Sequence, residues 1–380
     1  MYSTLLLVVA FAWTAAIQDL SRRFDRVQLL ESEGVTSASV SIGDVDGDGD
    51  LDLILAKGRH WPLHNQVLRN DGRAQFAATP LADSADRTYS AALADLDGDG
   101  DLDMVVSNDR PDQKLVYLND GAGHYRVGSR FGEPTWSTRY VTVADVNGDQ
   151  RPDLLVANRS SNPANPRPSF VCLNAGNGTF PNCTALPTQS ATIIVAADLD
   201  GDGAVDLFVP HRDGGQSLVF WNTDKGRFAS APVAVGLAVS NTRAATAGDL
   251  DGDGRVDLVI GDEKTGLFWA RQRSPRQFDS PTRLDPTPRA DIPYAVVLAD
   301  LDRDGRQDVV VGHDQSPGTI WFNRRAGAGG GPRFVPLQWN DGKGAVYGIA
   351  VGDLNGDGWP DIAAARSDAP NAIWLSDPAR

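Results

Sequence analysis

Seven times along this 380-residue chain, four oxygen-bearing side chains recur in one nine-residue frame. They stand at positions 1, 3, 5 and 9: Asp44, Asp46, Asp48 and Asp52; Asp95, Asp97, Asp99 and Asp103; Asp145, Asn147, Asp149 and Asp153; Asp198, Asp200, Asp202 and Asp206; Asp249, Asp251, Asp253 and Asp257; Asp300, Asp302, Asp304 and Asp308; Asp353, Asn355, Asp357 and Asp361. Alternate residues of a tight loop point inward, so three short arms, and a fourth from the following strand, can converge on one hard cation. The carbonyl of position 7 adds an oxygen, which leaves that side chain free to vary (Asp50, Asp101, Arg151, Ala204, Arg255, Arg306, Trp359). Glycine at position 6, replaced only by Gln150, permits the sharp turn. Flexible all-oxygen ligation by roughly six or seven atoms suits Ca2+ better than Mg2+ or Zn2+. Without a cation the clustered carboxylates repel one another. Up to seven structural Ca2+ are therefore expected, held most weakly by the third loop, with Gln150 and Arg151, and the sixth, with Arg303 and Arg306. The loop is not an EF-hand: no Glu stands at position 12, and strands flank it.

The elements that must position these loops follow from the repeat. Successive loops start 51, 50, 53, 51, 51 and 53 residues apart. Each is preceded by a strand of small and apolar residues, as in YSAALAD, and followed by a short apolar run such as LILA or MVVS. A variable polar loop, a third strand such as KLVYLND, a Gly-rich turn and a fourth strand opening near an aromatic complete the unit (Phe76, Tyr125, Phe180, Phe228, Phe278, Phe334). Four short antiparallel strands per repeat of about fifty residues make one blade of a β-propeller. The seventh repeat stops after its third strand, whereas Arg23–Leu30 reads as a fourth strand with no blade of its own. Pairing the two closes the ring and removes both exposed edges. The expectation is an all-β, seven-bladed propeller occupying residues 17–380.

The first residues, with an apolar run from Leu5 to Trp13 and small residues through Ala16, resemble a secretory signal spanning 1–16. A secreted, periplasmic or cell-surface protein is expected, with no membrane span after signal removal, since no segment approaches the roughly 18 apolar residues that a span needs. Cys172 and Cys183 flank the turn NAGNGTF on facing strands and are expected to form a disulfide.

The DxDxDGxxD loop in seven registered copies resembles the FG-GAP repeat family, whose bacterial members carry VCBS repeats and whose best-known propeller is the head of integrin alpha subunits. The likeness runs from Arg23 to Arg380; the Phe-Gly and Gly-Ala-Pro signatures of integrins are not evident, and YLNDGAGHY, ending at Tyr125, looks more like the bacterial type. The resemblance implies a Ca2+-loaded propeller and leaves function open among lectins, adhesion modules, lyases and dehydratases.

Strand alternation puts the acidic loops on one face and leaves the other free for a ligand. On that face, six positions before each loop, stand Ala38, Tyr89, Arg139, Thr192, Arg243, Tyr294 and Tyr347, a ring at the channel mouth. The loops of that face begin at Lys57, Asn108, Asn158, His211, Asp262, His313 and Arg366, with Arg59, Arg110, Arg159 and Arg212 close behind. Lys57, Tyr89, Arg139, His211, Arg212, Arg243, Tyr294, His313, Tyr347 and Arg366 are the candidate ligand residues: tyrosines stack on a sugar and arginines bind an anion. The alternatives are a carbohydrate lyase or dehydratase, with Tyr89, Tyr294, Tyr347, His211 and His313 as candidate acids and bases, and a structural adhesion module with a protein partner. No HExxH, GxSxG or phosphate-loop motif occurs.

Charge sharpens this picture. The chain carries 35 Lys plus Arg against 50 Asp plus Glu, a formal net of −15, which excludes binding to nucleic acid through a basic surface. Yet 28 of the 50 acids lie in the seven loops. The rest of the chain is mildly basic, and that favours an anionic partner for the opposite face.

Overall fold

A computed structural model describes residues 21–162, 164–284, 291–324 and 332–379. The proposed signal at 1–16 lies outside the described residues. Seven four-stranded antiparallel sheets follow one another along the chain, and there is no helix among the described residues. Blade 1 consists of Ser37–Gly43, Asp52–Lys57, Gln66–Asn70 and Phe76–Pro80, and its order is repeated around the ring. In blade 7 the outermost strand is Arg22–Leu29, paired antiparallel with Ala372–Pro378, so the two ends of the described chain close the ring within one sheet.

The second strand of every blade is buried along its whole length, as in Asp52–Lys57 and Asp308–His313. Sheets of neighbouring blades cover both its faces, and this explains the unbroken apolar runs there in place of alternation. The core is accordingly divided into seven clusters, one between each pair of successive blades. A polar clasp recurs beside them. The residue ending the third strand sends its amide to the preceding blade's acidic loop: Asn70 Nδ2 donates to Leu354 O, Asn119 to Val45 O, Asn174 to Leu96 O, Asn222 to Val146 O and Asn323 to Leu250 O, at 2.7–2.9 Å. Gln272 makes the same bond to Leu199 O in blade 5.

Two local readings differ from the sequence expectation. Phe228 and Phe278 do not open the outer strands of blades 4 and 5. They close small two-stranded ribbons, Asn222–Asp224 with Arg227–Phe228 and Gln272–Ser274 with Gln277–Phe278, and the outer strands follow as Val233–Ala234 and Thr282–Arg283. The extra ribbon uses up the chain length that elsewhere extends the fourth strand.

Cys172 and Cys183 are cross-strand partners in blade 3 and are bonded. The bond closes a loop with a sequence separation of 11, for which the chain-entropy relation gives about 3 kcal/mol. Replacing both with Ser is expected to lower the unfolding free energy by about 2–3 kcal/mol in denaturant titrations, with an equal or larger m-value because the unfolded chain is no longer cross-linked.

Candidate functional site: acidic loops and an arginine-tyrosine funnel

The acidic loops are held open by their own backbone. In all seven, the position-1 Asp accepts the N–H of position 6 on Oδ2, and the position-5 Asp accepts the N–H of position 7 on Oδ1. Six of the position-6 residues are glycines at positive φ; Gln150 takes the same conformation at φ +67°. The position-9 Asp is fully buried and accepts two backbone N–H groups, one from position 2 and one from the end of the third strand, as Asp52 does from Val45 and Asn70. Position 9 therefore ties the loop to the middle of its blade.

Position 3 is the exception. Asp46, Asp97, Asp251 and Asp302 each bury Oδ1 without any hydrogen-bond partner. A buried anionic oxygen without a donor is costly, and a cation in the loop removes that cost. In five loops three carboxylate oxygens approach one another within 4.8 Å: Asp44, Asp46 and Asp48; Asp95, Asp97 and Asp99; Asp198, Asp200 and Asp206; Asp249, Asp251 and Asp257; Asp300, Asp302 and Asp304. These clusters can hold metal ions, and the all-oxygen donor set fits a hard cation.

Guanidinium groups brace the outer oxygens of three loops. Arg276 Nε lies 2.5 Å from Asp200 Oδ2, Arg271 Nε 2.5 Å from Asp251 Oδ2, and Arg324 NH1 2.5 Å from Asp302 Oδ2. At position 7, Arg151, Arg255 and Arg306 turn back onto Asp149, Asp253 and Asp304. Arg303 points away from its loop and over the Trp359 ring of blade 7. Arg151, Arg303 and Arg306 stand inside the loops and were visible there, whereas Arg271 and Arg324 come from the end of the third strand of the same blade and Arg276 from a turn of the next blade, which spacing does not reveal.

On the opposite face a cavity of about 250 Å³ opens at the channel mouth. All seven ring residues line it: Ala38, Tyr89, Arg139, Thr192, Arg243, Tyr294 and Tyr347. Six positions separate each from its acidic loop, about 20 Å of extended strand. The backbone explains the placement. The first strands of blades 1, 2, 3, 5, 6 and 7 each carry a bulge, and the residue skipped by the pairing is Ala38, Tyr89, Arg139, Arg243, Tyr294 and Tyr347 respectively. A bulge re-aims one side chain out of the regular alternation; here it aims one per blade into the funnel.

Four further residues reach the cavity from the loops behind the ring: Arg59, His60, Arg159 and Arg212. Arg139 pairs with Asp109 at 2.9 Å, Arg159 forks onto Asp213 at 2.8 and 3.1 Å, and Glu263 is shared by Arg212 at 2.5 Å and Arg243 at 3.4 Å. The guanidiniums also lie on aromatic faces: Arg243 is 3.4 Å from the Tyr294 centroid, Arg59 3.7 Å from Tyr347 and Arg139 4.2 Å from Tyr89. Tyr294 donates to Asp314 at 3.1 Å, and burial pushes its hydroxyl up to about 12. The Tyr89 hydroxyl, raised by burial, lies 3.0 Å from His60 Nε2, and burial and then Arg59 and Arg139 lower His60. Tyr89 and Tyr294 are therefore neutral hydrogen-bonding groups at pH 7, and the positive charge of the cavity lining is that of its arginines.

Lys57, His211, His313 and Arg366 do not line the funnel. They are 6, 2, 8 and 1% exposed and stand at or beside the ends of second strands, opposite the residue before the bulge or, in blade 4, opposite Ala191. In the bulged blades the extra residue shifts the pairing by one and turns this position inward, away from the funnel. Lys57 pairs with Glu31, Arg366 NH1 donates to Asp341 at 2.7 Å, and His211 Nε2 accepts from Gln189 N at 3.0 Å. His313 is the cross-strand partner of Pro293 and lines a small separate cavity with Trp321. Arg59 and His60 are the additions that sequence spacing did not single out for the ring; their signal was proximity to a Gly in a turn.

The family model described as FG-GAP-like repeat matches residues 44–106, 95–156, 145–209, 198–260, 249–311 and 300–364. Human (Homo sapiens) integrin alpha-6 is 37% identical over 84 residues, which is 18% of this chain and 7% of that protein. Cartilage acidic protein 1 of Mus musculus is 28% identical over 164 residues, 39% of this chain and 25% of that protein. The chain thus spans at most a quarter of the length of these curated relatives. Among solved structures, the BP39L lectin from Burkholderia pseudomallei superposes with a TM-score of 0.65 at 13% identity, covering 91% of this chain and 97% of the lectin chain. BBS1N, solved in complex with ARL6DN, gives 0.62 at 12% identity over 93% and 97%. At such identities the likeness is one of fold.

Proposed function

The chain belongs to the FG-GAP-like repeat family, and from that premise we propose that it is an exported, Ca2+-stabilised propeller that captures an acidic glycan in the funnel opposite its acidic loops. The observation that carries this reading is the convergence of five guanidiniums and the ring tyrosines Tyr89, Tyr294 and Tyr347 on one cavity. Tyrosine faces and hydroxyls suit a sugar ring, and arginines suit its carboxylate or sulfate. The lectin among the structural neighbours is a protein of the same fold that binds carbohydrate, and the reading agrees with it. Export is supported by the bonded cysteines, which persist in oxidising compartments. No helix among the described residues is long and apolar enough to cross a membrane.

One contact favours catalysis as the second reading: neutral His60 at 3.0 Å from the Tyr89 hydroxyl is a base beside an acid. Both readings are tested by screening uronate-bearing, sulfated and neutral polysaccharides for binding and for the ultraviolet absorbance of unsaturated uronate. Binding of the acidic polymers without new absorbance is expected, weakened about tenfold or more in Arg243→Gln and weakened by salt, which screens such contacts. Absorbance that disappears in His60→Ala would establish the lyase. Retention of no polysaccharide at all would sink the glycan reading in favour of an adhesion surface.

A further inference from the structure

The funnel's five arginines are not equivalent. Asp109 answers Arg139, Asp213 answers Arg159, and Glu263 answers Arg212 and, at longer range, Arg243. Arg59 has no carboxylate partner among the described residues. It faces the ring of Tyr347 at 3.7 Å and that of Tyr89 at 5.9 Å, reaches the Tyr89 hydroxyl, and makes a 3.4 Å hydrogen bond from NH1 to Ser367 Oγ, while its Nε–H is buried with no acceptor.

The backbone, not an ion pair, holds this guanidinium in place. Gly58, at φ +107°, opens a turn in which Trp61 N donates to Gly58 O at 2.7 Å. Gly58 N donates to Thr36 O and Arg59 N to Thr88 O, and Leu63 exchanges both its backbone bonds with Asp86. The turn is thereby stitched to blade 1 on one side and blade 2 on the other. A Cβ on Gly58 would meet Trp61 O at 2.3 Å, so the turn excludes any side chain there. Blade 1 contributes the smallest ring residue, Ala38, and the neighbouring blades contribute Tyr347 and Tyr89. The result is a notch with an apolar floor, aromatic walls and one uncompensated charge.

We propose that the notch formed by Arg59, Tyr89 and Tyr347 over Ala38 is the seat for a single carboxylate or sulfate of the ligand, and that Arg59 determines specificity for the charged sugar. This rests on the funnel being the glycan site. The other four guanidiniums share the three carboxylates Asp109, Asp213 and Glu263 and shape the wall, whereas Arg59 has donors that no carboxylate occupies. Trp61 follows on the same turn, 67% exposed, as a stacking platform for the next sugar unit.

The seat is tested on the full Ca2+-loaded chain with inorganic sulfate alone, followed through the side-chain Nε–H resonances of arginine. A saturable shift of the Arg59 resonance that precedes any at Arg139, Arg159, Arg212 and Arg243 is the expected result, and an unmoved Arg59 overturns the proposal. Affinity is then measured for a trigalacturonate, for its methyl ester and for a sulfated trisaccharide. Arg59→Gln is expected to weaken the trigalacturonate or the sulfated probe 10- to 100-fold and to leave the ester unchanged, with Arg59→Lys recovering part of the loss. Arg126→Gln, on the exposed outer strand of blade 2, serves as the control and leaves every affinity as in the wild type. If Arg59→Gln binds the charged probes as tightly as the wild type, the seat lies elsewhere. If sulfate moves Arg59 but no trisaccharide binds, the seat stands and the glycan reading falls.

Discussion

Removing divalent cations with excess chelator is expected to lower the melting temperature by on the order of 10–20 °C, and Ca2+ to restore it. A ligand held only by the native state at a hundred times its Kd stabilises by about 2.7 kcal/mol per site. Five loops bring three carboxylate oxygens within 4.8 Å, so the separate contributions combine into a large shift for a chain of this size. Acidity gives the test a second axis. Burial, outweighing two N–H donors in each case, raises the position-9 carboxyls of Asp52, Asp153, Asp206, Asp257 and Asp361 to about 6 and that of Asp308 to about 8. A folded-state value above the unfolded one favours folding at low pH, in full below about 4, and that contribution is lost as pH rises through 6 and, for Asp308, 8. The chelated protein should therefore melt higher at pH 5 than at pH 8, whereas excess Ca2+, which requires ionised carboxylates, flattens or inverts the gradient. Identical melting curves with and without chelator would remove the structural role of the loops.

The second large effect concerns ring closure. A chain trimmed to begin after Leu29 loses the outer strand of blade 7 and is expected to aggregate on size exclusion, because Ala372–Pro378 becomes an unpaired edge. A single substitution isolates the packing part. Phe24, 3% exposed, lies in the cluster between blades 6 and 7 with Phe322, Trp339 and Trp374. Phe24→Ala is expected to cost about 3–5 kcal/mol in denaturant unfolding while leaving the protein monomeric. Arg22, whose guanidinium donates to Ser376 Oγ at 2.8 Å and Ser376 O at 2.9 Å, anchors the start of the same strand. A trimmed chain that melts like the full one would show that closure contributes nothing.

The repeat and the closing strand were legible because each rests on spacing. Acidic residues at fixed offsets mark the loops, and the rise of an extended strand carries a residue six places upstream to the other face of the propeller. The ring of Ala38, Tyr89, Arg139, Thr192, Arg243, Tyr294 and Tyr347 followed from that alone. What spacing does not carry is register. The bulge beside Tyr294 turns His313 inward, and the one beside Tyr347 does the same to Arg366; to a reader counting residues both looked like loop openings. A sign was nevertheless present, since that position is polar in all seven blades, which suits a buried hydrogen-bonding post better than a solvated loop. Arg59 and His60 depend on a turn centred on Gly58, and the asparagines at 70, 119, 174, 222 and 323 act across blade boundaries. Neither is a property of one repeat taken by itself.

The bulges carry a consequence for how this scaffold changes over time. In six blades the residue that faces the funnel is the one the hydrogen-bond ladder leaves out, so its identity is uncoupled from the strand pairing that folds the blade. Selection can rewrite the funnel one letter at a time, at addresses about fifty residues apart, without renegotiating the core. The arrangement resembles an immune receptor's division into frame and hypervariable positions, achieved here with single residues in place of loops.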